Sequence, residues 1–361
     1  MNDFLALPAK AVVERELNDP TSNARAALTA TIATGADKAA RKVTNALSVM
    51  PNFVRANGGN PVFTQATQNP APNALAPTAA SSIYWPCILR ASDVGVPSPL
   101  DAYYMFYTTD HQVGGVWLAT GPTPIGPWTG RGMVYNDLGG GEQTETAEVF
   151  MNPRYGDAGE KRFLMLYQQK AAPGAVGAQS TMWAASDDML TWTRGAIAID
   201  ITPSVPGDGH TGYARVHRFG NQLYAHHLRG GGDFAHFGLS VSSDGKKWST
   251  VSGLGWGQDQ TGDGRRIEWN YTSLVRWRGQ ILWIGMLSQV VSGTATNDAR
   301  IGIAPITADL RNLAGKPQYI LYPAVGAETT SYRGIHAYQF DGTIYLYYQV
   351  GNSFYVAIAE D

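Results

Sequence analysis

Acidic, histidine and aromatic residues recur in five segments of the chain, and each segment opens an apolar, strand-like run. The segments are SSIYWPCIL from Ser81, ETAEVFMN from Glu145, GDGHTGYARV from Gly207, RRIEWNYTSLV from Arg265 and SYRGIHAY from Ser331. Two carboxyl groups that face each other across a pocket can cleave a glycosidic bond, one as proton donor and the other by activating water or attacking the sugar. The candidate catalytic residues are Glu145, Glu148, Glu268, Asp208 and His210.

The same segments carry flat aromatic rings. Sugar rings present apolar faces that stack on indole and phenol rings, so aromatic side chains beside carboxylates favour a carbohydrate ligand. The candidate substrate-binding residues are Tyr84, Trp85, Tyr213, Trp269, Arg333 and His336.

Several of these residues have a structural alternative. Glu268 follows GDGRRI and can pair with a neighbouring arginine in a solvated loop, and Asp208 in PGDGH can be a turn residue. His210 and His336 open strands and can be hydrogen-bonded between sheets. Strand alternation lets only one of Glu145 and Glu148 face a given side.

The sequence contains no recognisable metal or phosphate motif. It has no HExxH, no cysteine pair and no EF-hand loop, and RGGGD at residues 229–233 lies between strands rather than before a helix. We expect neither a metal nor a cofactor.

A second phrase, a glycine or Asp-Gly turn before an aromatic strand, recurs in phase with those segments. Its five copies are DAYYMFYTT, GEKRFLMLYQQ, GNQLYAHHL, GQILWIGML and DGTIYLYYQV. A third strand and a turn ending in tryptophan follow in TGPTPIGPWTG, SDDMLTWTR and SSDGKKWST. Repeated four-strand units of about 60 residues must stack on their neighbours around an axis. The sequence therefore predicts an all-β, five-bladed propeller over residues 81–361.

The residues before the propeller differ in texture. Residues 1–50 are alanine-rich with helical signals and predict a short helical stalk or adaptor. Residues 51–80 predict an extended linker. The fifth unit lacks one strand, and an open sheet edge must be paired. We therefore expect a strand near residues 60–67 to pair with SFYVAIA and close the ring.

The charge composition limits the classes of molecule that the protein is expected to bind. Charged residues make up 16% of the 361 residues and the net charge is -2, which gives no reason to expect nucleic acid or an acidic membrane surface. MNDFLALPAK lacks the basic residues of a Sec signal, and ILWIGML is too short to cross a bilayer as a helix. We expect no membrane insertion.

Residues from about 80 to 361 resemble the five-bladed propeller glycosidases acting on furanosides, of the arabinanase, xylosidase and levansucrase kind. AYYMFYTT, VWLATGPTPIGPW and FGLSVSSDGKKW are similar to their blade strands. The resemblance implies a base Asp entering the first blade, a second Asp from the next and an acid Glu from the third. SSIYWPC has no acid at the first position. The segment of Glu145 and Glu148 partly matches the second, and Asp208 and His210 stand at the third.

The N-terminal phrase DPTSNARAAL resembles adaptor segments of minor tail proteins of phages that infect actinobacteria. This resemblance implies a virion tail protein at the host surface, oligomeric through its helical segment as a homotrimer or another homo-oligomer. Its partner would be a cell-surface polysaccharide. The hypothesis is a phage tail glycoside hydrolase, or polysaccharide depolymerase, of the host envelope that is furanoside-directed as the family resemblance implies. The alternatives are a receptor-recognition propeller that binds without cleaving, and a lyase that uses His210.

Overall fold

The computed structural model describes most of the repeated region. The described residues are 50–65, 82–109, 115–137, 144–170, 179–200, 211–229, 236–251, 266–291, 294–295, 300–315, 317–321 and 332–360. Residues 53–359 form one compact unit, and residues 1–52 with 360–361 are grouped as another. The predicted helical stalk lies outside the described residues. None of the helices within those ranges is long and apolar enough to span a membrane.

Five antiparallel sheets follow one another along the chain, and in each the first strand is the innermost. The first blade consists of β3 (Tyr84–Arg90), β4 (Tyr103–Thr108), β5 (Val116–Gly121) and β6 (Thr129–Tyr135), with a short helix α1 (Ala91–Val94) after β3. The second consists of β7 (Thr144–Met151), β8 (Phe163–Lys170), β9 (Gln179–Ser186) and β10 (Thr193–Ile199). Their central strands are buried on both faces because each sheet is covered by its neighbours.

The third and fourth blades repeat this order. The third consists of β11 (Thr211–Phe219), β12 (Gln222–Arg229), β13 (His236–Ser242) and β14 (Ser249–Val251). The fourth consists of β15 (Arg266–Trp277), β16 (Gln280–Val291), β18 (Arg300–Pro305) and β19 (Gln318–Leu321), with β17 (Thr294–Ala295) paired to β16.

The fifth blade takes its outer edge from residues that precede the first blade. It consists of β20 (Arg333–Phe340), β21 (Thr343–Val350), β22 (Ser353–Glu360) and β1 (Asn52–Arg55), and β2 (Phe63–Thr64) also pairs with β22. A single 3₁₀ turn, Asn57–Gly59, lies between β1 and β2. The strand β1 falls where the sequence predicts a linker, and Phe63 pairs with Phe354.

The sheets close into a ring. Each inner strand contacts the inner strand of the next blade, and β20 contacts β3. At this junction Phe63 packs between Tyr107 and Phe354, with ring centroids 5.1 Å and 5.9 Å away. The prediction of an all-β, five-bladed propeller is confirmed.

The repeated turn before each tryptophan has a local physical cause. In the third blade the Ser242 hydroxyl accepts the backbone N–H of Gly245 at 2.9 Å. The Asp244 carboxylate accepts two following N–H groups at 2.8 Å each. The Trp248 indole donates to the Gly245 carbonyl at 3.0 Å. Side-chain oxygens thus satisfy the backbone donors of a turn that no strand pairs.

The second blade builds the same turn from different neighbours. Ser186 accepts the N–H of Met189 at 2.9 Å, Asp188 accepts two N–H groups at 2.8 Å, and Trp192 donates to the Met189 carbonyl at 3.2 Å. Met189 has a φ of 64° and Gly245 a φ of 71°. The Ser-x-Asp pattern therefore fixes the turn even where the left-handed residue is not glycine.

Candidate functional site

Every inner strand carries a β-bulge at the same place, close to the end where the strand begins. The register of the inner strand against its neighbour shifts between Tyr84 and Cys87, Glu145 and Glu148, Gly212 and Arg215, Asn270 and Ser273, and Arg333 and His336. We call the side of the propeller where the inner strands begin the mouth, and the opposite side the rear face. A bulge re-aims the side chains around it, so the five bulges organise the centre of the ring.

The residue after each bulge is buried and occupies an equivalent position in its blade. These five residues, here called the central ring, are Cys87, Glu148, Arg215, Ser273 and His336. They are five different side chains at one structural position.

A repeated hydrogen bond joins consecutive blades through this ring. The backbone N–H of the next blade donates to Cys87 Sγ at 3.3 Å, to Glu148 Oε1 at 3.1 Å and to Ser273 Oγ at 3.1 Å. In the third blade, His217 Nε2 takes this role and accepts from Leu274 at 3.2 Å. Each acceptor satisfies a buried donor, so these side chains tie the blades together.

Glu148 also forms a buried ion pair. Arg215 Nη1 lies 3.0 Å from Glu148 Oε2, and both side chains are about 4% exposed. Arg215 Nη2 donates to the Pro86 carbonyl at 3.2 Å, and His336 Nδ1 lies 2.9 Å from the same oxygen. Blades 1, 2, 3 and 5 are therefore linked by one polar network.

Burial governs the protonation of this network. It raises the pKa of Glu148, against the lowering effects of the Arg215 charge and the Val216 N–H. Burial, assisted by the Glu148 charge, raises the pKa of the Cys87 thiol well above its usual value. Burial and the Arg215 charge hold the pKa of His336 well below its usual value, so His336 is neutral at physiological pH.

Among the described residues, Cys87, Glu148 and His336 also form a cluster of potential metal ligands. Their ligand atoms lie within 4.8 Å of one another. The Arg215 guanidinium already donates to Glu148, and its charge opposes a cation at the same carboxylate. The arrangement fits an internal ion pair better than a metal centre.

Above the central ring, the bulge residues form an aromatic bridge at the mouth. Trp85, Thr146 and Tyr213 have φ values of 51°, 54° and 54°. The Trp85 and Tyr213 rings meet edge to face with centroids 5.0 Å apart, and Tyr84 lies 5.3 Å from Trp85. The contact therefore joins the inner strands of the first and third blades, which are not neighbours in the ring. Left-handed conformations in bulky residues cost free energy and concentrate at functional sites.

Polar side chains of the second blade are buried at the same end. Glu145 and Thr146 are 0% and 2% exposed, and Gln168, which pairs with Glu145 in the sheet, is 1% exposed. The Tyr213 N–H donates to Thr146 Oγ1 at 3.4 Å. Glu145 is therefore the chain neighbour of Thr146, the residue that the Tyr213 backbone contacts.

A second charge pair, with a buried Asp137 and an exposed Arg194, supports the mouth between the first two blades. Asp137 Oδ2 accepts the Tyr167 hydroxyl at 2.7 Å and lies 2.9 Å from Arg194 Nε. The Tyr135 and Tyr167 hydroxyls are 3.1 Å apart, and burial raises the pKa of Tyr135 to about 12. The carboxylate of Asp137 is satisfied within this network, which fits a supporting role.

The structure brings together some of the predicted site residues. Tyr84, Trp85 and Tyr213 meet at the mouth, Glu145 precedes Thr146 on β7, and Glu148 and His336 belong to the central ring below. Asp208 and His210 lie outside the described residues. Glu268 and Trp269 lie on β15 and Arg333 on β20, where the structure describes the backbone. The catalytic and binding roles stay predictions.

Arg215 and Ser273 are not among the site residues predicted from the sequence. A usable signal is present, because each central-ring residue is followed by an aliphatic residue in PCI, AEV, ARV, TSL and IHA. Aligning the inner strands on that residue, rather than on acids, would have placed Glu148 beside Arg215 as a ring position.

The sequence matches no protein-family model and no curated protein. Solved structures do share the fold. A glycosyl hydrolase from Bacteroides ovatus has a TM-score of 0.57 at 14% identity, over 86% of this chain and 94% of that one. A GH130-family glycoside hydrolase that targets β-1,2-mannosidic linkages in Candida mannan has a TM-score of 0.56 at 13% identity, over 87% and 97%.

The Bombyx mori GH32 β-fructofuranosidase has a TM-score of 0.55 at 12% identity, over 76% of this chain and 59% of that one. This chain therefore spans somewhat over half of that enzyme. At such low identities the comparisons establish the fold: the chain is a five-bladed propeller similar to those of glycoside hydrolases.

Proposed function

We propose that this chain binds a polysaccharide at the mouth of its propeller and hydrolyses it there. The observation that carries the proposal is the aromatic bridge of Trp85 and Tyr213, with Tyr84 beside it, which contacts Thr146, the residue after Glu145. Tyr84 and Tyr213 are partly exposed, and the faces of such rings offer the apolar surface on which sugars stack. Similarity of fold to several glycoside hydrolases supports the same conclusion.

In this proposal Glu145 and Glu268 form the carboxylate pair. Glu148 is held by Arg215 and by a backbone N–H, so its role is to hold the blades rather than to transfer a proton. One carboxyl group protonates the leaving oxygen and the other activates water or attacks the sugar. Asp208 and His210, which precede β11 in the sequence, would assist.

The polymer that we propose is a polysaccharide of a host cell envelope, met by a phage tail that carries the propeller. The N-terminal resemblance supports this source and supports a homo-oligomer built through residues 1–50. Furanosides are the sugar class that the resemblance of the propeller favours.

Binding without cleavage is the second candidate. Trp85 stands at the opening of the first blade, where the resembling glycosidases take their base, and Glu148 is committed to an ion pair. Both observations favour a receptor-recognition propeller that keeps its aromatic surface but has lost its catalytic acids.

The test is reducing-end release from purified actinobacterial cell-wall polysaccharide by the wild type, Glu145→Gln and Glu268→Gln, with absorbance at 235 nm followed for lyase products. Asp157→Asn, an exposed carboxylate paired with Arg154 far from the mouth, is the matched control. Release that is lost in both glutamine variants and kept in the control supports hydrolysis. Binding with no release by the wild type supports the second candidate, and a 235 nm rise that survives in both variants moves the chemistry to His210.

A further inference from the structure

Three arginines on the rear face surround the point where the third and fourth inner strands end. Arg218 lies at the end of β11, and Arg276 and Arg278 lie at the end of β15 and in the turn that follows. All three side chains are exposed. We call them the rear arginines.

Two of the rear arginines are held against aromatic rings. The Arg276 guanidinium lies 4.9 Å from the ring centroid of Phe219 in the neighbouring blade, and Arg278 lies 5.1 Å from that of Trp277. Arg218 is the chain neighbour of Phe219, and its Nε donates to the Gly220 carbonyl at 3.3 Å. A guanidinium stacked on a ring is oriented but keeps its edge N–H groups free for a bidentate acceptor.

The rear arginines differ from other cations on the same face. Arg90 is bound by Asp341 at 2.6 Å and by Asp93 at 2.8 Å, and Arg154 is bound by Asp157 at 2.9 Å. In the part of the chain that the structure describes, no ion pair joins any of the three rear arginines to a carboxylate.

Equivalent turns make the contrast sharper. Arg278 and Asp341 occupy the same place in the hairpins after β15 and β20, with φ values of 48° and 50°, each followed by a glycine at φ 82° or 83°. Asp341 is used to bind Arg90 of the adjacent blade. Arg278 stacks on its own blade and presents its charge to solvent. The same turn conformation thus carries a residue that binds the adjacent blade in the fifth blade, and a cation exposed to solvent in the fourth blade.

We propose that the rear arginines bind the carboxylate groups of an acidic polysaccharide, as a second site separate from the mouth. Carboxylates match the planar, two-pronged donor edge of arginine, and a polymer with repeated carboxylates can engage all three side chains at once. The proposal rests on the proposed function only in taking the polymer to be a saccharide. A propeller with sites on both faces would hold its polymer while the mouth acts on it.

The test is binding of polygalacturonate, with dextran as the neutral polymer, to the wild type and to the triple variant Arg218→Gln, Arg276→Gln, Arg278→Gln. Arg154→Gln, an exposed arginine with an ion-pair partner, is the control. We expect the wild type to bind polygalacturonate and not dextran at this site, with affinity at least about tenfold weaker in the triple variant and within about twofold in the control. Raising salt from about 0.05 M to 0.3 M should weaken wild-type binding strongly.

Equal affinity of the wild type and the triple variant, no wild-type binding, or binding that salt does not change would each overturn the proposal. Glu145→Gln separates it from the proposed function, because that variant should lose reducing-end release and keep its polygalacturonate affinity. The triple variant should weaken polygalacturonate binding whether or not the mouth releases reducing ends.

Discussion

The outer turns and the central ring are both repeated features, but they repeat in different ways. The turns of the second and third blades use the same residues, Ser186 with Asp188 and Ser242 with Asp244, for the same hydrogen bonds. The central ring keeps one backbone position while its five side chains all differ, and three of them accept a backbone N–H of the next blade.

The difference follows from what each region must satisfy. A turn is closed by contacts within a few residues, so each blade solves the same local problem with the same side chains. The ring is closed by contacts between blades, so each side chain is chosen to match a neighbour, as Glu148 matches Arg215. Local repetition conserves residue types, whereas the centre conserves only geometry.

Removing the Arg215 charge from the central ring should have the largest effect on stability. Arg215→Met leaves the Glu148 carboxylate buried without its cation, and we expect a loss of about 3–5 kcal/mol in the free energy of unfolding. Urea unfolding measures it. The double variant Glu148→Leu, Arg215→Met removes both charges and should recover a large part of that loss. A single variant as stable as the wild type would show that the ion pair does not hold the blades.

Glycine substitutions should distinguish two reasons for glycine in these turns. At Gly245 a side chain would clash and also strain the backbone, whereas at Gly220 it would only strain the backbone. A Cβ at Gly245 would lie 2.7 Å from Leu164 Cδ1 and 3.0 Å from Phe150 Cε2, whereas one at Gly220 meets no atom within 4 Å. Gly245→Ala should cost about 2–3 kcal/mol, from strain and overpacking, and Gly220→Ala about 1 kcal/mol. Thermal unfolding of both variants checks the order, and equal losses would contradict it.

Removing the turn carboxylates should have the smallest effect and an equal one in two blades. Asp188→Ala and Asp244→Ala each remove a carboxylate that accepts two backbone N–H groups. We expect each variant to lose about 1 kcal/mol in the free energy of unfolding, and the two losses to agree within about 0.5 kcal/mol. Asp157→Ala, at an exposed ion pair, should lose less. A difference of several-fold between Asp188→Ala and Asp244→Ala would break the comparison.

The turn carboxylates also set a pH dependence. Burial opposes ionisation of Asp244, but the N–H groups of Lys247 and Lys246 and the Ser242 hydroxyl outweigh it, and its pKa is lowered. Its contribution is complete above the unfolded pKa of about 3.9 and is lost as pH falls through the lower folded value. The stability gap between the wild type and Asp244→Ala should therefore be constant above about pH 5 and shrink below it.

Much of the fold was predictable because the strands and turns of each blade repeat in the local sequence. The five aromatic strands recur in phase with the turns that end in tryptophan, and the number of these strands predicted the number of blades. The role of β1 was not predicted, because Asn52–Arg55 is a short strand whose partner β22 lies at the other end of the chain.

The site was less predictable for the same physical reason. Tyr84, Trp85 and Tyr213 were identified by residue type, and they meet at the mouth. The partnership of Glu148 with Arg215 depends on a contact between blades 67 residues apart in sequence. No pattern within a single strand reports such a contact, and the two side chains come to one level only when the five inner strands are aligned on the aliphatic residue that follows each ring position.

The proposed division between a structural ring and a catalytic mouth is tested most directly by Glu145→Gln and Glu148→Gln. For each variant, the free energy of unfolding and reducing-end release from cell-wall polysaccharide would be measured side by side. We predict that Glu145→Gln loses release but stays within about 1 kcal/mol of wild-type stability, and that Glu148→Gln loses several kcal/mol of stability. A Glu145→Gln variant that releases reducing ends at the wild-type rate would contradict the account.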